Sequence, residues 1–353
     1  MPRNFVNLFC LLVVLCLGAV AVGAQVPTPM PFPDKKLPKD PKIKTYPPPP
    51  GHDTPGVFEG NDDVTSEKSM SVDANVAVKL CVSHGNLKIN GWRRNEVRVF
   101  VKGGRRFKLE AREKSEATGK VVWLWVSNMT EGRPGQSSQC LAGENIEIDA
   151  PLGSIFDLSG RAASTSIDSI KQVKVKVVEG VITLRNIPGG ISASTSQGDV
   201  IVENSGGAIA LESTTGNIVA VEVTPGQIGD VLKTKTNGGS ISLQRVEHRQ
   251  IEANSISGSL LFDGKFLSGG IYNFRTSHGS IRLVIPIGSS CTFRATYGFG
   301  SFDSDIPLKI ITENVTPQAK TVVAKAGTGE GATVTLSTTR GSIAIKRQGV
   351  GLP

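Results

Sequence analysis

The chain has 353 residues, 40 of them glycine, and aromatic residues make up only 5% of it. Such a composition suits many short strands joined by tight turns, and it argues against a helical bundle: no long 3.6-residue periodicity survives the glycines and β-branched runs. The net charge of +8 favours an acidic partner, although a modest positive charge is also an ordinary solubility setting.

Residues 1–24 read as a secretory signal peptide. Arg3 supplies a positive n-region and Phe5 to Leu17 an apolar h-region, with Val22 and Ala24 at the −3 and −1 positions of a cleavage site before Gln25. The segment is too short and wrongly flanked to span a membrane, and no other stretch approaches the roughly 20 apolar residues a span needs. Cys10 and Cys16 leave with it, each preceded by a bulky residue where a lipidated cysteine wants a small one. The expected location is outside the cytosol: periplasm, cell surface or extracellular space. Residues 25–56 hold more than half of the chain's 20 prolines. Each proline removes a backbone donor and fixes φ, so the segment reads as a linker. Drawn out as polyproline II it would reach roughly 95 Å.

Residues 57–150 form a β region with more charge than the remainder, suited to capping it. In Val72–Val82 the apolar residues share one parity, so Cys81 faces the other way; Cys140 lies in the loop-like SSQCLAGE, and Cys291 shares parity with Phe293. A Cys81–Cys140 bridge is the expected pairing in a compartment that permits disulfides, with three free thiols as its alternative. Both parities of KVVWLWVSN are apolar, which predicts cover on both sides. A basic run follows Trp92: Arg93, Arg94, Arg98, Lys102, Arg105, Arg106, Lys108 and Arg112, against Glu96 and Glu110. Arginine beside an aromatic ring is a usual recipe for contacting sugar, phosphate or protein. Trp92, Arg93, Arg94, Arg98, Arg105 and Arg106 are therefore the candidate ligand-binding residues, with Trp123 and Trp125 near enough in sequence to join them. The plainer alternative is a solvated strand face with buried tryptophans.

Residues 151–353 repeat a unit Gly-x-Φ-x-Φ, where Φ is apolar and small polar residues precede the Gly. It reads GVITL at Gly180, GGISA at Gly189, GDVIV at Gly198, GAIAL at Gly207 and GNIVA at Gly216, and it returns at Gly239, Gly258, Gly279 and Gly341. An earlier copy, GNLKI, begins at Gly85. The nine-residue spacing is one strand plus one turn. One such strand cannot bury its face alone, so copies must stack, with Φ inward and x outward. The fold expected is all-β, a β-solenoid or single-stranded β-helix-like stack of short strands, with a β-sandwich meander as the alternative; 57–353 reads as one continuous domain. The rows STSQG, STTG, TNGG and STTRG are expected to form outward polar ladders. Longer spacings separate Gly216 from Gly239 and Ile285 from Gly341.

The units VSHGNLKINGWRRNEVRV, TSQGDVIVEN, STTGNIVAVE, TSHGSIRLVIP and GSFDSDIPLK resemble a bacterial β-strand-repeat family catalogued under the label adhesin, a domain of unknown function. The resemblance runs from about Val72 to Lys346. It implies a β-solenoid-like fold and an envelope or extracellular setting. It transfers no functional residues.

Chemistry-bearing groups are sparse. His84 and His278 occupy the same place in two copies, SHGN and SHGS, which suits a turn residue better than a metal pair; His52 and His248 stand alone. No HExxH or CxxC spacing occurs, so neither a metal nor a cofactor is expected. Asp303 and Asp305 form an Asp-x-Asp that could hold a divalent cation, yet the calcium-binding β-roll repeat is absent and a solvated pair fits better. The remaining acids are scattered singly, and no nucleophile elbow or phosphate loop stands in the required context. The function expected is non-enzymatic: an exported adhesin or surface scaffold. Its partners would be glycans, peptidoglycan or other acidic envelope components, not nucleic acid. A polysaccharide-binding or polysaccharide-active β-helix and a self-assembling structural module are the alternatives.

Overall fold

A β-branched or aliphatic residue at every second position leaves each short strand one apolar face. The chain buries that face by coiling. The computed structural model describes residues 65–129 and 140–349; the leader at 1–24, the linker at 25–56 and His52 lie outside the described residues. The described residues all fall within one unit, Glu59–Pro353.

The fold opens with β1 (Ser66–Trp92), β2 (Glu96–Lys102), β3 (Phe107–Lys114), β4 (Val121–Asn128), β5 (Leu141–Pro151) and β6 (Ile155–Asp168). A regular series follows: β7 (Gln172–Glu179), β8 (Ile182–Arg185), β9 (Ile191–Gln197), β10 (Val200–Gly206), β11 (Ile209–Thr215) and β12 (Ile218–Thr224). It continues through β13 (Val231–Gly238), β14 (Ile241–Val246), β15 (Gln250–Ser257), β16 (Leu260–Asp263), β17 (Ile271–His278) and β18 (Ile281–Ile285). The last group is β19 (Cys291–Phe299), β20 (Phe302–Ser304), β21 (Lys309–Val315), β22 (Lys320–Ala326), β23 (Ala332–Arg340) and β24 (Ile343–Arg347).

Register decides between coil and meander. A meander pairs consecutive strands antiparallel, whereas here each strand of the regular series pairs in parallel with the next but one. Val200 stands opposite both Ile182 and Ile218, and Ile209 opposite both Ile191 and Leu232. One turn of the coil is therefore two strands. Odd-numbered strands β7 to β17 build a first sheet, even-numbered strands β8 to β18 a second, and their inner faces meet. The nine-residue spacing resolves into two corners, one holding Gly180, Gly198 and Gly216, the other Gly189 and Gly207.

The first corner shows why its residue must be glycine. Gly198 has φ +136°, and a Cβ there would lie 2.1 Å from the Gly180 carbonyl oxygen of the preceding turn. Between the sheets Val200, Val202, Ile209, Leu211, Ile218 and Ala220 are all buried. Each larger member stabilises the stack by about 1.5–3 kcal/mol.

The two longer spacings behave differently. From Gly216 to Gly239 the turn is preserved, since Ile218 pairs with Ile241; the added residues form the loop before β13, where Ile228 is fully exposed. After β18 the chain order and the spatial order part. β23 and β24 stack directly on β17 and β18, and β19 and β20 lie outside them.

The coil does not begin at residue 151. β1 and β6 each run through a corner, so Ala77–Val82 pairs with Ile155–Gly160 in the first sheet and Asn86–Asn90 with Ser164–Asp168 in the second. β4 and β5 add a further layer beside the two halves of β1. Antiparallel strands then close both ends. β3 lies on β4, β2 on β5 and Ser66–Ser71 on β2; at the far end β22 lies on β19 and β21 on β22.

Candidate functional site

The basic run divides at β2. Trp92 ends β1, and its indole Nε1 donates to the Glu96 carbonyl at 2.7 Å. The guanidinium carbons of Arg94 and Arg98 stand 5.1 and 5.7 Å from its ring centroid, within cation–π reach. Arg98 also donates from Nε and Nη2 to Asp149 Oδ2 on β5, at 2.9 and 2.5 Å, and Asn90 Nδ2 donates to Asp149 Oδ1 at 3.3 Å. Hydrogen bonding and charge from Asp149 raise the Arg98 pKa above its usual value. Arg98 thus fastens β2 to β5, and its charge is answered within the fold. Arg93 and Arg94 are exposed beside it.

Arg105 and Arg106 are exposed at the other end of β2, about 20 Å along a strand of that length. The six candidates therefore form two groups: Trp92, Arg93, Arg94 and Arg98 at one end, Arg105 and Arg106 at the other. Trp123 and Trp125 do not join either. They point outward from β4 in the first sheet, whereas Trp92 belongs to the second. Arg112 stacks over Trp125, 4.4 Å from the ring centroid, and donates from Nη2 to Glu110 Oε2 at 2.5 Å. With Lys108 bonded to the same carboxylate, the Glu110 pKa is held below its ordinary value. The cover expected on both sides of β4 is thus a second sheet on one side only; Trp123 remains 39% exposed on the other.

Cys81 on β1 and Cys140 before β5 are joined as a disulfide with Cα atoms 4.4 Å apart. Cys291 is a free, buried thiol, and burial pushes its pKa up to about 12, which makes it a poor nucleophile. Asp303 and Asp305 do lie together, but Lys346 Nζ stands between them, 2.9 Å from an oxygen of each. A lysine already fills the place a cation would take. His84 and His278 occupy the same corner column, yet β1 and β17 are seven layers apart, about 34 Å, so they share no ligand.

The polar rows before the glycines are only partly outward. Their Ser or Thr three residues before the Gly turns inward and is buried: Thr195, Ser213, Thr236, Ser255, Thr276 and Thr338. Each hydroxyl donates to the glycine carbonyl of the preceding layer, as Thr236 does to Gly216 at 2.9 Å and Thr276 to Gly258 at 2.8 Å. The full unit is therefore Ser/Thr-x-x-Gly-x-Φ-x-Φ. Its polar member was legible as a residue type, and its inward face follows the alternation of the strand before the corner, as Thr195 follows Ile191 and Ala193.

A family model described as Toastrack DUF4097 matches residues 61–346. The curated proteins searched contain no match. Among solved structures, a "putative cell adhesion protein" from Clostridium sporogenes is 12% identical and covers 81% of this chain and 100% of its own, with a TM-score of 0.26. So loose a superposition says nothing about what this chain does.

Proposed function

This chain belongs to the Toastrack DUF4097 family, and from that premise we propose that it is an exported, non-enzymatic surface scaffold. In this reading residues 1–24 direct export, residues 25–56 act as a spacer, and the coil presents its outer faces to acidic envelope components such as glycans or peptidoglycan. The observation that supports it most is the rung itself. Side chains that point inward are committed to packing or to layer-to-layer hydrogen bonds, and the outward positions vary freely, as a display surface requires. The test is expression of the full chain with a C-terminal epitope, followed by fractionation and mass spectrometry of the mature N-terminus. Recovery from the envelope or medium with Gln25 first supports the reading. Retention in the cytosol with residues 1–24 intact overturns it.

A self-assembling module is the second reading, and one strand favours it. All seven residues of β21 are exposed, Ile310, Ile311 and Val315 included, and among the described residues it pairs only with β22. An apolar strand with one free edge is a template for pairing with another chain. Sedimentation across protein concentrations decides: a species that grows with concentration favours assembly, and a constant monomer removes it.

A further inference from the structure

The outer faces of the two sheets differ in charge, although they are built by the same layers. On the first sheet, from β7 through β17 and β23 to β19, the outward positions carry Lys174, Lys176, Lys233, Lys235, Arg275 and Arg294 against two carboxylates, Glu212 and Glu252. Over the same layers of the second sheet Arg185, Arg282 and Lys346 meet Glu203, Asp263 and Asp303 in equal number. Two of those pairs are closed, Arg185 to Glu203 at 2.6 Å and Lys346 to Asp303 at 2.9 Å. On the first sheet only Lys233, among the described residues, has a carboxylate within ion-pair distance, Glu252 at 3.8 Å.

Register gives these cations an order. Lys174 is carried through Ser192 and Ala210 to Lys233, and Lys176 through Ser194 and Glu212 to Lys235. The two lysine pairs therefore stand three layers apart, about 14 Å, with partners in a row about 7 Å apart along the strand. Lys235 is carried through Asn254 to Arg275, two layers on, and Arg294 lies a further two layers out by way of β23. From Lys174 to Arg294 the track crosses seven layers, about 34 Å.

We infer that the outer face of the first sheet binds a linear anionic polysaccharide laid along the coil axis. A narrow two-row track of cations, at steps of three, two and two layers with Glu212 and Glu252 between them, presents net positive charge along one line to a chain of like-spaced anions. A neutral glycan would give it nothing to pair with. Between the cations stand Ser192, Ser194, Asn254 and Asn273, whose hydroxyls and amides suit sugar hydroxyls rather than a lipid interior. The inference deepens the scaffold reading by naming a ligand class and a face, yet it does not depend on export: cytosolic retention would overturn the scaffold and leave this binding to be measured.

The test uses the purified full chain and three probes: polygalacturonate, neutral dextran, and vesicles containing phosphatidylglycerol, each at low and high salt. Polygalacturonate should bind in a salt-sensitive way and dextran should not. Lys174→Gln/Lys176→Gln/Lys233→Gln/Lys235→Gln should weaken binding about tenfold or more. Lys88→Gln/Lys265→Gln/Arg282→Gln/Arg347→Gln removes the same charge from exposed positions off that face and should stay within about threefold of the parent. Equal losses in the two variants would reduce the effect to net charge and overturn the proposal. So would equal binding of dextran, no polygalacturonate binding at all, or lysine-dependent binding of vesicles alone.

Discussion

The middle of the coil and its two ends follow different rules. From Gly198 to Gly279 each layer meets the one before it through a glycine packed on a glycine carbonyl, a buried hydroxyl donating to that carbonyl, and apolar side chains over apolar side chains. Those side chains are aliphatic at first and are joined by Phe262, Tyr272 and Phe274 towards Gly279. At the N-terminal end Val82 and Val177 stand three residues before Gly85 and Gly180, where the inner layers have Ser or Thr, and at the C-terminal end Tyr297 stands before Gly300. There the layers also change from parallel to antiparallel. A set of identical layers contains no instruction to stop, so termination has to come from exceptions to the repeat. The exceptions are unlike each other: β3 closes the first sheet with Lys108, Glu110, Arg112, Glu113 and Lys114, while β21 leaves Ile310 and Ile311 in solvent.

The N-terminal end should be the place where a covalent tie matters most. All three tryptophans lie there, at 92, 123 and 125, so tryptophan fluorescence reports that end while far-UV circular dichroism reports the whole coil. The Cys81–Cys140 bridge joins positions 59 apart in sequence, and in the chain-entropy model its loss costs about 4 kcal/mol. Cys81→Ala/Cys140→Ala should therefore move the fluorescence transition in urea further than the dichroism transition. Titration of denatured, unreduced protein comprising residues 25–353 should find one thiol, that of Cys291. Three thiols, or equal shifts by both probes, would break the distinction between end and middle.

Glycine substitutions sharpen the same contrast with a smaller effect. In mid-coil, Gly216 has φ +153° and a Cβ there would sit 2.0 Å from the Gly198 carbonyl oxygen. Gly216→Ala should cost about 2–4 kcal/mol, from backbone strain and a forced separation of layers. Gly119, between β3 and β4, has φ +65° and nothing within 4 Å of a built Cβ. Gly119→Ala should cost only the backbone term, about 1–2 kcal/mol. Equal costs would mean that close stacking does not set the requirement for glycine.

The hydroxyl ladder predicts a third and lesser step. Thr236→Val keeps the shape of the side chain and leaves the Gly216 carbonyl without its 2.9 Å partner. The expected loss is about 1–2 kcal/mol in urea unfolding. A neutral result would show that the backbone bond from Gly216 N–H to the Gly238 carbonyl holds the corner without help.

Much of the coil was legible because its cause is local. Glycine spacing and alternate aliphatics state both the turn and the buried face, and parity placed Cys81 away from the core. What could not be read was anything set by long-range register. The spatial order β17, β23, β19 follows from which free edges meet, and nothing in the local sequence of Ala332–Arg340 says it will pass over β19. The candidate site suffered from the same limit. Arg94 and Arg106 look adjacent in sequence, but an extended strand separates its ends as far as the residues between them allow. Lys176 and Lys235 look remote, yet three parallel steps put them on one track.

His248 offers the smallest test, at the corner opposite the hydroxyl ladder. Its side chain is fully buried between β14 and β15, with Nε2 2.9 Å from the Gly207 carbonyl oxygen and Nδ1 without a partner among the described residues. A bond to a carbonyl requires the proton on Nε2, so Nδ1 is the bare nitrogen, and protonating it would bury a charge with no acceptor. Burial lowers the pKa from 6.5, opposed by the Gly207 bond and by Asp230. A depressed histidine pKa means that the unfolded chain takes up the proton first as pH falls. Its stabilising contribution is complete above pH 6.5 and is lost as pH drops towards the lower folded value. The carboxylate Glu110, also depressed, adds its own loss only near and below its ordinary value of 4.5, so the interval between isolates the histidine. The urea midpoint by circular dichroism should fall across that interval, and His248→Gln should flatten the slope even if it lowers the midpoint at neutral pH. A parent midpoint that stays level there would mean that water reaches this corner, and that the middle of the coil is less tightly closed than its glycines imply.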